Sequence, residues 1–284
     1  PAAPPFGLPA RAGVAPPLWH HLEARAWRPA APAPPPAWPG VTLLKPLHRA
    51  DDRSAECLAS WLAQDYPGPV QVLLGVDPAD AAAVRLAEET LARRPHAGAA
   101  VIPCPGRGAA NPKVAKLRQL EPHARHDMLI LSDADTRVAP DLLRTLAAEL
   151  HGAGTGLVHC LYRQPEPRGL PAVFEALLVN GDFWPQVLQA RRLGLSDLAL
   201  GAVMAVRLPA LDAAGGLAAL GEFLADDHEL GRRVARAGWR IRLSAAVADC
   251  LEAPAGAVKT WRHQLRWART ARACRPAADF FSVL

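Results

Sequence analysis

Cysteine is sparse and scattered in this chain: Cys57, Cys104, Cys160, Cys250 and Cys274 are odd in number, and none belongs to a Cys-X-X-Cys pair. That spacing excludes a zinc ribbon, a redox dithiol and a dense disulfide framework, and it fits a reducing compartment. No run of about 18 consecutive apolar residues occurs, so the sequence offers no candidate membrane-spanning helix. Lysine is nearly missing, with only Lys45, Lys113, Lys116 and Lys259, so the formal charge of +5 rests on arginine. Basic runs interleaved with aromatics are lacking as well, which leaves no nucleic-acid face. Gly106 and Gly108 lie in a loop that could cradle a phosphate, but neither a Gly-X-Gly-X-X-Gly nor a Walker pattern is completed around them.

What is present is enough for a core. The chain has 284 residues, half of them hydrophobic, which suits one α/β domain or one and a half and argues against a disordered chain. A basic balance suits an anionic substrate or an acidic membrane face. Residues 1–40 are dense in Pro and Ala, and proline removes amide donors and fixes φ, so this stretch reads as an extended arm or linker. Trp19, Trp27 and Trp38 punctuate it, with Arg25 and Arg28 between them. That mixture fits either a membrane interface or an arm packed onto the domain. The chain starts at Pro1 and finishes on the apolar Phe280-Phe281-Ser282-Val283-Leu284. We therefore expect a piece cut between membrane segments, with 276–284 as a tail leading into one.

From residue 41 onward, short apolar runs alternate with helical patterns. Strands are expected at 41–44, 70–76, 99–102, 128–132 and 156–160, and helices at 55–64, 81–94, from 111 onward and at 140–151. Asn111-Pro112 places a proline in the first turn of its helix. This repetition predicts a mostly parallel sheet with right-handed crossovers. The second half changes character. Helices are expected at 172–179 and 183–192, a strand at 198–206 containing Gly201, an acidic helix from 222 to 237, a strand at 240–243 and a basic helix at 257–272.

The strand at 128–132 runs straight into Asp133-Ala134-Asp135. A strand buried on both faces in a parallel sheet would carry these acids to its carboxyl end, where open α/β sheets bind ligands. If the backbone stays extended there, residues two apart share a side, and both carboxylates could face one divalent cation. Asp77 and Asp80, after the second strand, would lie on the same edge. Each acid has a plain alternative, since acids often cap the following helix.

Together the acids at 77/80, 133/135 and 226/227 precede a basic helix bearing Arg266-Trp267, and this order is more specific than any one member. It resembles the processive-type family 2 glycosyltransferases, with their D, DxD, D, (Q/R)xxRW pattern. Val41-Thr42-Leu43-Leu44-Lys45-Pro46-Leu47, Asn111-Pro112-Lys113-Val114, Gly156-Leu157-Val158-His159 and Ala237-Gly238-Trp239-Arg240 are similar to the family 21 ceramide glucosyltransferase branch, which includes bacterial hopanoid-associated enzymes. The resemblance covers about residues 40–275.

It implies a GT-A type nucleotide-sugar-binding fold and a set of roles. Asp80, with Asp77 competing, would contact the uracil or ribose; Asp133 would hold the nucleotide; Asp135 would complete a Mg²⁺ or Mn²⁺ site on the UDP diphosphate. Asp227 matches the catalytic base, with Asp226 the neighbouring alternative. Arg266 and Trp267 match the terminal pair, and His263 stands where the family has Gln or Arg. Lys113 is either a phosphate contact or a solvated charge.

The expected chemistry is inverting transfer of glucose or N-acetylglucosamine from a UDP-sugar to a hydroxyl of a membrane lipid, a hopanoid polyol or a ceramide-like acceptor. The catalytic domain would be cytoplasmic and membrane-associated. Negative charge builds on the leaving diphosphate, which a cation and Arg266 could neutralise, while one carboxylate takes the acceptor proton.

Two rivals stand beside it. Asp133-Ala134-Asp135-Thr136 comes close to the nucleophile motif of haloacid-dehalogenase-type phosphatases, although several β-α units precede it here. A non-catalytic nucleotide-binding module is the other.

Overall fold

The computed structural model describes residues 27, 29, 31–48, 53–106, 108–195, 197–251 and 256–274. Most of the proline-rich stretch, Trp19 included, and the apolar tail at 276–284 lie outside them. Of the arm's tryptophans, Trp38 packs edge-to-face on Tyr66, whose hydroxyl donates to the Pro39 carbonyl at 2.6 Å. Trp27 meets Trp184 in the same manner.

The first half builds as the alternation requires. Strand β1 (Val41–Pro46), helix α1 (Ser54–Leu62), β2 (Val70–Val76), α2 (Ala81–Arg93), β3 (Ala99–Pro103), α3 (Pro112–Leu120) and β4 (Met128–Ser132) follow one another. Strands β3, β2, β1 and β4 pair in parallel in that spatial order. Burial on both faces explains their mostly apolar sequences, and the buried polar side chains Thr42 and Gln71 hydrogen-bond to each other across β1 and β2. Met128 and Ile130 join one core cluster with Leu43, Trp61, Val72 and Leu146, whereas Leu129 and Leu131 join the opposite one with Leu44, Leu73, Leu117 and Leu230.

The order 3-2-1-4 reverses direction between β1 and β4, and the crevice at such a reversal is where this class of sheet receives ligands. Asp77 and Asp80 follow the carboxyl end of β2, and Asp133 follows that of β4, so the acids do share one edge.

The second half is mixed. After β5 (Thr136–Arg137), α4 (Leu142–Leu150) and β6 (Thr155–Arg163), strand β7 (Val203–Arg207) runs antiparallel between β4 and β6. Strand β8 (Arg240–Cys250) is parallel to β6 and antiparallel to β5. The eight strands form one sheet, ordered β3-β2-β1-β4-β7-β6-β8-β5.

Several boundaries differ from the sequence expectation. Helices α5 (Leu170–Leu178) and α6 (Trp184–Arg192) are joined by a π-helical turn at Val179–Phe183 rather than separated. Pro185 has no amide to give the preceding turn, and a widened turn accommodates that loss. β7 begins at Val203 rather than at 198; before it, Leu200 packs with Val187 and Leu188 of α6, and Ala199 packs in the cluster that holds Leu230. Helices α7 (Leu208–Ala213), α8 (Asp226–Arg236) and α9 (Ala257–Cys274) are the last helices among the described residues, and the acidic helix starts at Asp226 and not at residue 222. β8 extends well past the expected strand at 240–243, to Cys250.

Candidate functional site

The backbone does not stay extended through the Asp133-Ala134-Asp135 stretch; it turns at residues 134–135 before entering β5. The turn is pinned from several sides. The Asp133 amide donates to the Ala202 carbonyl at 3.1 Å, and the Leu251 amide donates to the Asp135 carbonyl at 3.0 Å. The Thr136 hydroxyl also donates to Ala202, and the Trp61 indole donates to the Thr136 carbonyl. Beneath the turn, the wholly buried Lys45 at the end of β1 donates to the Asp133 carbonyl at 2.5 Å and to the Ser132 hydroxyl at 3.3 Å. Burial pulls its ammonium down to about 8, against the attraction of Cys57, Asp135 and Asp133.

Across from this turn sits Lys113, in the first turn of α3. Asn111 caps that helix, its side-chain oxygen accepting from the amides of Lys113 and Val114. The Lys113 ammonium lies 2.7 Å from Asp133 Oδ1 and 3.5 Å from Asp226 Oδ2. Burial alone would lower its pKa, yet the charges of Asp133, Asp226 and Asp227 and the hydrogen bond to Asp133 hold it above its usual range. Asn111 also donates to Asp226 Oδ1 at 3.1 Å and to the Phe223 carbonyl at 2.9 Å. Both Asp226 oxygens are therefore engaged by the same Asn-Pro-Lys turn.

Asp227 is in a different situation. Its Oδ1 accepts from the His228 amide at 2.8 Å, at the start of α8. Burial, then the neighbouring charge of Asp226, pushes its pKa up to about 6, although Lys113 and the His228 amide pull the other way. A carboxylate so poised can accept a proton near neutral pH. Gly201 makes room for it: a Cβ there would lie 2.9 Å from Asp227 Oδ2. The close approach expected at this glycine is made by the side chain of Asp227.

The remaining acids are held locally. Asp80 caps α2 through the Ala83 amide at 3.1 Å, and Asp77 accepts from the Ala79 amide at 3.0 Å. The loop at Gly106 and Gly108 stands open, with nothing within 4 Å of a Cβ placed at either glycine. The Lys113 ammonium is engaged by Asp133 and Asp226.

On α9, His263 pairs with the fully buried Glu175 of α5. Trp267 packs against His263, Tyr162 and Phe183, with ring centroids 4.9, 6.3 and 6.3 Å away. Arg266 lines an open cleft of about 280 Å³ with Leu224, Arg262, Leu265 and Arg269. Leu224 lies two residues before Asp226, which brings this cleft beside the acidic helix start.

Sequence reasoning missed Lys45, Tyr162 and the particular use of Gly201. Tyr162 is pushed well above its ordinary pKa by burial and by nearby Cys250, Asp227, Asp133 and Asp135, so it borders the acids. Nothing in its local sequence marks it; it ends a strand whose neighbours are known only from the sheet.

Among the described residues, no group of three or more His, Cys, Asp or Glu side chains is arranged to hold a metal. Asp133 and Asp135 do supply hard oxygen donors at the edge of the crevice. A magnesium or manganese ion held by one or two carboxylates, with substrate phosphates and water completing its shell, fits that donor set.

The fold and sequence have relatives. A glycosyltransferase from Pyrobaculum calidifontis, mannosyltransferase PcManGT in complex with GDP-Man and Mn²⁺, superposes with a TM-score of 0.64 at 21% identity, over 93% of this chain and 71% of that one. This likeness establishes a GT-A type fold. Ceramide glucosyltransferase 1 of Caenorhabditis elegans is 24% identical over 216 residues, 74% of this chain and 45% of that protein. Ceramide glucosyltransferase of Candida albicans is 25% identical over 124 residues, 40% of this chain and 23% of that protein. The chain thus spans less than half the length of either. The family model described as "Glycosyl transferase family 21" matches residues 10–284, nearly the whole chain, and the chain belongs to that family.

Proposed function

We propose that this glycosyltransferase moves glucose or N-acetylglucosamine from a UDP-sugar to a hydroxyl of a membrane lipid, a hopanoid polyol or a ceramide-like acceptor, with inversion at the anomeric carbon. The observation that carries this reading is the division of labour between the two adjacent acids. Asp226 is held at both oxygens by Asn111 and Lys113, while Asp227 keeps a raised pKa of about 6 beside Gly201. Asp227 is then the base that takes the acceptor proton, and a single base with direct displacement inverts the configuration.

On the donor side, Asp133 and Asp135 would hold Mg²⁺ or Mn²⁺, which supplies charge neutralisation for the leaving diphosphate. Lys113 and Arg266 would meet the phosphates. Asp80 or Asp77, on the same sheet edge, would contact the nucleoside. The solved relative was captured with a nucleotide sugar and Mn²⁺, which supports a donor of that class. The ceramide glucosyltransferase relatives are named for a lipid acceptor, which supports an acceptor of that class.

The phosphatase reading lacks comparable support. Asp133 follows the fourth strand in chain order rather than the first, and its carboxylate is engaged by Lys113.

The test is UDP release from UDP-glucose and UDP-N-acetylglucosamine with Mn²⁺, before and after adding a lipid extract. Release that depends on lipid supports the proposal. Fast phosphate release from an aryl phosphate without UDP-sugar would favour the phosphatase, and UDP binding without turnover would favour a non-catalytic module.

A further inference from the structure

Strand β5 is two residues long and sits at the margin of the sheet, paired only with β8. The Asp133-Ala134-Asp135 turn hangs between this short strand and the central strand β4. What holds β5 therefore decides where Asp135 stands.

Three carboxylates from three different segments converge on Arg137, the second residue of β5. Its Nη1 pairs with Glu56 of α1. Its Nε and Nη2 both donate to Asp249 Oδ2 on β8, at 3.2 and 2.8 Å, while Arg163 Nε donates to Asp249 Oδ1 at 2.7 Å. Its Nη2 also meets Glu166 Oε1 at 3.0 Å, in the loop between β6 and α5. The other Glu166 oxygen pairs with Arg53 at the head of α1, and Arg53 Nη1 donates to the Leu251 carbonyl at 3.3 Å. Leu251 is the residue whose amide donates to the Asp135 carbonyl. These contacts close a ring that runs from Asp135 through Leu251, Arg53, Glu166 and Arg137, and returns along the backbone to Asp135.

Stability is a poor account of this ring. The Glu56 and Glu166 side chains are 49 and 51% exposed, and pairs of that kind contribute roughly 0–1 kcal/mol each. What they supply is direction, because a guanidinium is a rigid planar fork, and one engaged from three sides fixes the backbone that carries it. The acids need such fixing. Their backbone turns, so the alternation of an extended strand does not bring the two carboxylates to one side.

We propose that Arg137 is a positioning residue for the donor site: through the ring with Glu166, Arg53 and Leu251 it sets where Asp135 stands relative to Asp133, and so how well the two acids hold a divalent cation. This deepens the donor-side reading above and rests on its assignment of Asp133 and Asp135 to the cation. The sign of the effect separates positioning from charge. Removing a cation from the strand that follows Asp135 would, by electrostatics alone, strengthen the acids' hold on Mn²⁺, whereas loss of positioning weakens it.

The test is calorimetric UDP binding by the purified chain across a series of Mn²⁺ concentrations, with Mn²⁺ binding followed by electron paramagnetic resonance and melting temperature measured on the same samples. In Arg137→Met the Mn²⁺ concentration for half-maximal UDP binding is expected to rise on the order of tenfold, with UDP affinity returning toward wild type at saturating Mn²⁺. Arg137→Lys should recover only part of the loss, since a lysine lacks the fork. Glu166→Ala, at a half-exposed position that leaves the fold intact, opens the same ring and should shift the Mn²⁺ requirement in the same direction. Arg53→Met/Arg137→Met should be little worse than either single variant, because a ring once opened has little further to lose. Arg144→Met, which removes the exposed pair with Asp65, should leave Mn²⁺ dependence at the wild-type value.

An unchanged Mn²⁺ requirement in both Arg137→Met and Glu166→Ala, or tighter Mn²⁺ binding in Arg137→Met, would overturn the proposal. So would a lowered melting temperature with UDP affinity reduced equally at every Mn²⁺ concentration, which would assign the ring to the fold alone. Wild-type UDP binding that ignores Mn²⁺ would overturn the cation assignment of Asp133 and Asp135 and this proposal with it. Mn²⁺-dependent UDP binding without transfer to any lipid would count against the proposed activity and leave the positioning result in place.

Discussion

The Lys113 ammonium sits 2.7 Å from Asp133 Oδ1 and 3.5 Å from Asp226 Oδ2, joining an acid at the end of β4 to one at the start of α8. It links the donor half of the crevice with the half that carries the candidate base. Removing it would leave a cluster of carboxylates without their central cation. We expect Lys113→Ala to weaken UDP-sugar binding and to lower kcat/KM by roughly a hundredfold, as loss of a charge-assisted contact of about 2–3 kcal/mol implies. Lys113→Arg should recover part of the loss. Calorimetry with UDP and steady-state transfer rates separate the two effects.

Asp227→Asn should reduce transfer by about 10²–10⁴, the usual range for a lost general base, while UDP affinity stays near wild type. Asp226→Asn should act differently. It disturbs the Asn111 and Lys113 contacts, so UDP affinity should fall along with rate.

The Asp227 pKa, raised to about 6, gives two pH expectations. The base works deprotonated, so kcat/KM should rise with pH and level off above about 6. For stability the sign is reversed. A carboxyl whose folded pKa lies above its unfolded value contributes stability at low pH that is lost as pH climbs from about 4 to about 6. Asp227→Asn should therefore melt higher than wild type at pH 7.5, and the difference should shrink toward pH 4. Thermal melts at both pH values check this.

Gly201→Ala would place a Cβ 2.9 Å from Asp227 Oδ2 and 3.2 Å from its Cβ. Ordinary contact distances forbid that, so the base must shift. Transfer should drop about 10- to 100-fold, because sub-ångström misplacement at a reacting group is costly. A melting temperature close to wild type would locate the damage in the site.

His263→Ala would leave the buried Glu175 side chain without its hydrogen-bond partner, and an unsatisfied buried polar group of this kind costs about 1–3 kcal/mol. Removing both in His263→Ala/Glu175→Leu should restore much of that loss. Chemical denaturation of the single and double variants measures the coupling.

These expectations also mark what the sequence could reveal. The parallel half was legible because β1, β2 and β4 are buried on both faces and are mostly apolar between clear turns. Chain order singled out the acids at 77/80, 133/135 and 226/227, but that Asp133, Asp226 and Asp227 meet around Lys113 while Asp77 and Asp80 cap local turns comes only from the fold. The continuous helix through Pro185 was not, since its widened turn answers a missing amide that breaks a helix in most contexts. Lys45 was hidden for a similar reason: a lysine at a strand end reads as solvated, and only the pairing of β1 with β4 places it under Asp133. His263 stood out as a departure from the family's Gln or Arg, but its partner Glu175 lies on a helix that no local pattern connects to it.

The most direct measurement is mass spectrometry of a lipid extract incubated with UDP-glucose or UDP-N-acetylglucosamine and Mn²⁺, using wild type and Asp227→Asn side by side. The account predicts a new lipid species heavier by one sugar residue with wild type, and almost none with Asp227→Asn. Full product formation by Asp227→Asn would contradict the assignment of the base, and the absence of any glycosylated lipid with wild type would contradict the proposed activity.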